Sequence, residues 1–187
     1  MSDDGAGLAR WRRLDVPGRD EALLGRLPSG WRLSGKAGFT DGEPCELEYQ
    51  VDCDARWRTL SARVSGRIGA RDVDLVVTAE PDHRWSLDGV EAPQVAGCID
   101  VDLSFTPATN LLPIRRLALA IGQEAEVPAA WLSFPALELE LIVQRYRRVD
   151  ARTYRYASDD GRFVRELEVD ENGFVVRYGD QWRAESP

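Results

Sequence analysis

Between Cys45 and Asp54 apolar and polar residues alternate without a break. Cys45, Leu47, Tyr49, Val51 and Cys53 fall on one side, and Glu46, Glu48, Gln50, Asp52 and Asp54 on the other. Successive side chains of an extended chain point to opposite faces, so this period of two dictates a β-strand with one buried face. The pattern recurs along the chain. Leu60, Ala62 and Val64 share a face between Trp57 and Gly66, and Val73, Leu75, Val77 and Ala79 repeat it. Beyond a turn at Asp88-Gly89 come Val95, Gly97, Ile99, Val101, Leu103 and Phe105. Later, Leu137, Leu139, Leu141 and Val143 alternate with Glu138, Glu140, Ile142 and Gln144. Tyr154 and Tyr156 lead to a turn at Asp159-Asp160-Gly161, and Phe163, Arg165, Leu167 and Val169 follow it. Asn172-Gly173 is the strongest hairpin signal, because both residues tolerate positive φ. Phe174, Val176 and Tyr178 return from it.

Strands joined by short links form an antiparallel meander. A long meander must hide its edges and its apolar face, by curling into a barrel or half-barrel or by doubling into two sheets. The expected fold is therefore all-β, a single meander curled into a barrel-like or half-barrel sheet. Two stretches resist the pattern. Arg19 to Arg26 reads as one or two turns of helix ending before Pro28. Leu111 to Ile121 fits either period: Pro113 suits the first turn of a helix, whereas Leu117, Leu119 and Ile121 alternate into a turn at Gly122. Strand is preferred there, because Val127 to Phe134 reads as its hairpin partner.

The 187 residues suit one domain, or at most two small ones. Residues 1–7, acidic and glycine-rich, are expected to be a flexible start, with 8–187 a single β domain. No apolar run follows a basic start, and no apolar run is long enough to span a bilayer, so a cytoplasmic protein is expected. Cys45 and Cys53 lie roughly 26 Å apart along one strand, and Cys98 lacks a CxxC partner, so all three thiols should be free. The net charge of −8 repels the nucleic-acid backbone and anionic membrane surfaces. Lys36 is the sole lysine among 24 basic residues. An arginine-biased composition and planar recognition of oxyanions both produce that ratio. The single histidine, His83, sits in a turn-like context, so no histidine-based triad or metal cluster is expected; phosphate-binding glycine loops are also missing. No cofactor is expected.

Gly97-Cys98-Ile99-Asp100-Val101-Asp102-Leu103-Ser104-Phe105-Thr106-Pro107-Ala108-Thr109-Asn110, followed by Leu112-Pro113-Ile114-Arg115-Arg116-Leu117, is unusual text for a strand and its turn. It resembles the central signature of a bacterial family described as "putative glycolipid-binding". Trp57-Arg58-Thr59, Val64-Ser65-Gly66, Trp85-Ser86-Leu87-Asp88-Gly89, Ala130-Trp131, Gln144-Arg145-Tyr146 and Tyr154-Arg155-Tyr156 are similar to further family landmarks. Ser104, in place of glycine, and Leu111, in place of a polar residue, depart from the pattern. The resemblance implies a curved antiparallel sheet like that of bacterial carriers that hold acyl chains on a concave apolar face. It brings no catalytic set.

The candidate ligand-binding residues are Trp85, Asp100, Asp102, Asn110, Arg115 and Trp131. Asp100 and Asp102 share one strand face, ~6–7 Å apart at the backbone. Such a pair could serve acid–base chemistry on sugars or hold a metal; alternatively it is exposed, or it locks the loop by pairing with Arg115 and Arg116. Thr109 and Asn110 can satisfy the backbone of an irregular turn. Six tryptophans invite sugar stacking or cavity lining, against ordinary packing in a large sheet. Three functions follow. The first is a non-catalytic binding protein for an amphiphile such as a glycolipid, with an apolar groove for the tail and an aromatic and charged rim for the head group. The second is a structural or protein-interaction domain of unnamed partner. The third is a glycosidase- or esterase-type enzyme using Asp100 and Asp102.

Overall fold

The computed structural model describes residues 7–185. The expected flexible start therefore lies outside the described residues, apart from Gly7, which opens the first strand. Among the described residues fifteen strands form one sheet. The first eight are β1 (Gly7–Arg13), β2 (Gly18–Leu27), β3 (Gly30–Asp41), β4 (Glu43–Asp54), β5 (Thr59–Ile68), β6 (Arg71–Ala79), β7 (Trp85–Leu87) and β8 (Val90–Glu91). They form an antiparallel meander in chain order. The last six are β10 (Glu124–Leu132), β11 (Leu139–Arg148), β12 (Thr153–Ser158), β13 (Phe163–Val169), β14 (Val175–Tyr178) and β15 (Trp182–Ala184), a second meander. The two join where the chain begins and ends: β1 pairs with β15, with Trp11 opposite Ala184 and Arg13 opposite Trp182.

Between the meanders lies β9 (Asp100–Leu103), which pairs parallel to β10. This pairing decides the interior. Parallel neighbours cannot be joined by a tight turn, so the chain must cross over a face of the sheet. The crossover is a 3₁₀ turn, Ala108–Asn110, and helix α1, Leu111–Leu117. Ala118, at φ +44, ends the helix. Leu111 to Leu117 is thus a helix and not the preferred strand. Val127 to Phe134 falls largely in β10, whose partners are β9 and β11 and not the 111–121 stretch.

The crossover fills the sheet's concave face. Phe105, Ala108, Leu111 and Leu112 are buried in one core with Trp11, Leu24, Leu33, Leu47 and Trp85. Each fully buried large side chain contributes about 1.5–3 kcal/mol. The apolar face expected to be a groove is packed by the chain's own central segment. A second core, lined by Ile114, Val127, Tyr146, Tyr156 and Leu167, lies under the second meander. The sheet stays open as a curled half-barrel. The edge of β9 nevertheless reaches the start of β5: Thr59 N–H donates to Ile99 O at 3.2 Å, and Val101 N–H to Thr59 Oγ1 at 3.1 Å.

Other local readings are corrected. Arg19 to Arg26 is strand, paired along its length with β3 and as far as Leu24 with β1. A register shift at Asp52/Cys53 sets Cys53 opposite Thr59 and Asp52 opposite Ser61. It turns Leu60 to the solvent while Ala62 and Val64 stay buried. Residues 93–95 form a 3₁₀ turn, so the run from Val95 is not one strand. In β11 Gln144 and Tyr146 point inward, and Leu141 and Val143 are exposed. Asp88 and Gly89, at φ +51 and +78, close the two-residue β7–β8 hairpin. In the other hairpin Gly173 alone of the Asn172-Gly173 pair adopts positive φ. Asp170 Oδ1 caps that turn, accepting the N–H groups of Asn172 and Phe174 at 2.9 Å each.

Candidate functional site

The central segment is held to both halves of the sheet by buried polar groups. On the first, Asp20 (β2) and Tyr49 (β4) meet Thr106. Tyr49 Oη lies 3.1 and 3.2 Å from the two Asp20 oxygens and 3.1 Å from Thr106 Oγ1; the Thr106 hydroxyl also donates to Asp20. Burial pushes the Asp20 carboxyl up to about 7 against these hydrogen bonds. Sequence reading missed this cluster. Its one visible trace is Asp20 on the inward face of an alternating strand.

On the second half, Asp100 (β9) accepts from Arg116 (α1), with Nη2 to Oδ2 at 2.6 Å and Nε to Oδ1 at 3.1 Å. Asp100 is buried. Burial raises its carboxyl, and the Arg116 guanidinium opposes the rise. Asp102 accepts from Gln144 Nε2. Gln144 Oε1 lies 3.4 Å from Tyr146 Oη, which donates to Asn110 Oδ1 at 2.8 Å; Asn110 Nδ2 donates to Pro107 O at 3.2 Å. Asp102 has no cationic partner among the described residues, and burial pushes it up to about 6. Trp131 stands opposite Asp102 in the β9–β10 register. Four of the sequence-predicted residues, Asp100, Asp102, Asn110 and Trp131, therefore gather around the crossover. Gln144 and Tyr146, which complete the network, stood in a family landmark but were not among the expected site residues. They belong to a Gln-Arg-Tyr run whose inward face is polar.

Arg115 and Arg116 part company. Arg116 binds Asp100, while Arg115 lies over the indole of Trp57, with Cζ 5.3 Å from the ring centroid. Trp85 is elsewhere: it is 1% exposed and donates from Nε1 to Cys98 O at 3.0 Å. Its ring belongs to the core. The three cysteines are free and buried. Among the described residues no group of three or more His, Cys, Asp or Glu side chains is placed to hold a metal ion. No helix among them is long and apolar enough to cross a membrane.

The open seam of the sheet carries a groove of about 700 Å³ between the β7–β8 hairpin and β11. Leu87, Val90, Ala92, Leu139 and Leu141 supply its apolar lining, and Asp88, Glu91, Glu138 and Glu140 its acidic rim. Val90 is 71% exposed and Leu141 50%. Gln94 Nε2 donates to Leu139 O at 2.7 Å, tying the 3₁₀ turn to β11. The groove arises because β8 ends after two residues with no strand beyond it. Neither Val90 nor Leu141 stood out in the sequence as a surface residue, since Leu141 sits in an apolar alternation.

The fold has a solved counterpart. A crystal structure of a DUF1089 family protein from Pseudomonas aeruginosa superposes with a TM-score of 0.75 at 34% identity, covering 85% of this chain and 88% of the other. No curated protein matches the sequence. A family model described as "Putative glycolipid-binding" matches residues 8–184. Nearly the whole described chain is thus accounted for, and the protein belongs to that family.

Proposed function

We propose that this protein is a non-catalytic binding protein for an amphiphile with a hydroxyl-rich head group, and that the ligand lies in the seam groove. The supporting observation is the groove itself: an apolar lining bordered by four carboxylates, at a volume typical of small-molecule sites. The exposed Val90 and Leu141 offer apolar area to a tail. The carboxylates accept hydrogen bonds from sugar hydroxyls and repel an anionic head group. The family description agrees with this ligand class. The concave face is already packed by Phe105, Leu111 and Leu112, which favours the seam over the interior as the site of the tail. A binding role is preferred to hydrolysis because Asp100 is engaged by Arg116 and Asp102 by Gln144, leaving neither carboxylate uncommitted.

The test is solvent extraction of protein purified gently from its native cells, followed by mass spectrometry. A near-stoichiometric amphiphile, absent from a Val90→Asp/Leu141→Asp variant, is the expected result. Both substituted residues are exposed, so the variant should stay folded. An amphiphile retained by the folded variant places the ligand elsewhere. A blank from wild type, with native mass spectrometry at the ligand-free mass, moves the weight to a second reading. In that reading the short β8 edge and the exposed residues beside it receive a protein partner by strand addition.

A further inference from the structure

Among the described residues Asp102 and Arg115 are the two charged site candidates without an ion pair, and Arg115 is the cation of the two. Arg116, its neighbour on α1, is paired with Asp100. Arg115 Nε is buried and has no hydrogen-bond partner. The carboxylate whose field reaches it is Asp170. That group does not approach to ion-pair distance, and its Oδ1 already caps the β13–β14 turn through Asn172 and Phe174. Arg165 Nε, also without an aligned hydrogen bond, lies 3.1 Å from Asp180 Oδ1 and so has its counter-charge. Arg115 has none among the described residues. Burial accordingly lowers its guanidinium from the ordinary arginine range.

The surroundings of Arg115 are built rather than incidental. Trp57 adopts φ +66, a backbone conformation unfavourable for a bulky side chain. Asp54 holds it there: its Oδ1 accepts from Arg56 N–H at 2.8 Å and Arg58 N–H at 2.9 Å, and its backbone O accepts from Trp57 N–H at 3.0 Å. The strained turn sets the Trp57 indole against Trp31, stacked at 4.6 Å and 14°. It also places Trp57 under Arg115. On another side is Gly173, where a Cβ would stand 3.5 Å from Arg115 Nε. A guanidinium fixed by an indole, half-buried and lacking an anion, is pre-organised for a planar two-point contact with an oxyanion. Its Nε–H is closed off from solvent, so the two-point contact falls to the terminal amino groups, which have no hydrogen-bond partner among the described residues.

We infer that Arg115, seated on Trp57, is the centre of an oxyanion site that takes a single phosphate group. The protein's net charge of −8 keeps polyanions away, so the site selects an isolated phosphate. That phosphate is either a free ion or the head group of a lipid. The site is separate from the acidic seam groove, and its existence does not depend on that groove being occupied.

The experiment follows the Arg115 Nε–H resonance of ¹⁵N-labelled wild-type protein near neutral pH and at low ionic strength. Inorganic phosphate is titrated in one arm and dihexanoyl phosphatidic acid in the other, with dihexanoyl glycerol as the uncharged control. A saturable shift with either phosphate probe, and none with the control, is expected. Response to both probes identifies a general phosphate site, and response to the lipid alone identifies a head-group site. Arg115→Lys, followed in the same titrations through the indole N–H resonance of Trp57 beneath it, keeps the charge but loses the fork, and should weaken binding roughly tenfold or more. Arg26→Gln, at the far end of the tryptophan stack, should leave it unchanged. No shift with either probe, or equal affinity in folded Arg115→Lys, overturns the assignment. Failure of the seam reading would instead show as a wild-type protein free of amphiphile while this resonance still responds.

Discussion

Thr106 donates its hydroxyl to the Asp20 carboxylate across 86 residues of sequence. The contact joins the crossover to β2 in the middle of the main core. The burial of Asp20 there also makes the stability of the fold sensitive to pH. In the folded protein Asp20 titrates at about 7, because burial penalises its charge. In the unfolded chain a carboxyl titrates near ~4. Between these values the unfolded state has released the proton and the folded state still holds it. The unfolded state then binds fewer protons, so stability falls as pH rises through this window and levels off above it. The contribution of Asp20 is on the order of 4 kcal/mol. Asp20→Asn should remove it. Urea unfolding of both proteins at mildly acid and mildly alkaline pH checks this: wild type should lose more stability than the variant on going alkaline, and parallel profiles refute the argument.

Tyr49 reaches Asp20 because its cross-strand neighbour is Gly35. A Cβ at Gly35 would fall 2.4 Å from the Tyr49 hydroxyl oxygen and 2.4 Å from Glu21 O. Gly35→Ala should therefore cost about 2–3 kcal/mol, in the range of overpacked cores. The midpoint of denaturant unfolding should drop accordingly. An unchanged midpoint would mean that ring and backbone move aside freely.

Arg116 neutralises a carboxylate that is only 1% exposed. Removing one partner of such a pair leaves a buried charge, so Arg116→Gln should destabilise by about 3–5 kcal/mol. Asp100→Asn added to Arg116→Gln should recover much of that loss. A double-mutant cycle on unfolding free energies reads the coupling directly. Additive losses would mean that the two side chains act independently.

All three thiols are buried. Burial is the leading cause that raises Cys45, Cys53 and Cys98, with Cys98 pushed up to about 11. The nucleophile is the thiolate, so native protein should react negligibly with a disulfide reagent at mildly alkaline pH. Unfolded protein should release three equivalents. Rapid reaction of one thiol in the native state would reveal local opening of the segment that holds it.

Much of the fold was legible because alternation is a local property. Cys45 to Asp54 could be read as a strand with Cys45, Leu47, Tyr49, Val51 and Cys53 inward, and all five are buried. The turns at Asp88-Gly89 and Asp159-Asp160-Gly161 could be read from residues that accept positive φ. The 111–121 stretch could not. Its apolar residues satisfy two periods, and the decision came from β9 pairing parallel to β10, with Asp100 opposite Ala129. Of the candidate site, the Asp100–Arg116 pairing was foreseeable from charge and spacing, but Gln144 and Tyr146 were not. Inward polar residues carry no local mark until a partner from another strand is known.

The sequence by itself determined that this chain builds a sheet, where most of its strands run, and which family it resembles. Those features follow from side-chain alternation and turn chemistry, which act within a few residues. Tertiary structure alone decided that the two meanders join through β1 and β15, that the crossover fills the concave face, and that the apolar groove lies at the seam. These depend on strand partners far apart in sequence. The same long-range pairing directs Arg116 to a carboxylate and leaves Arg115 on the face of Trp57.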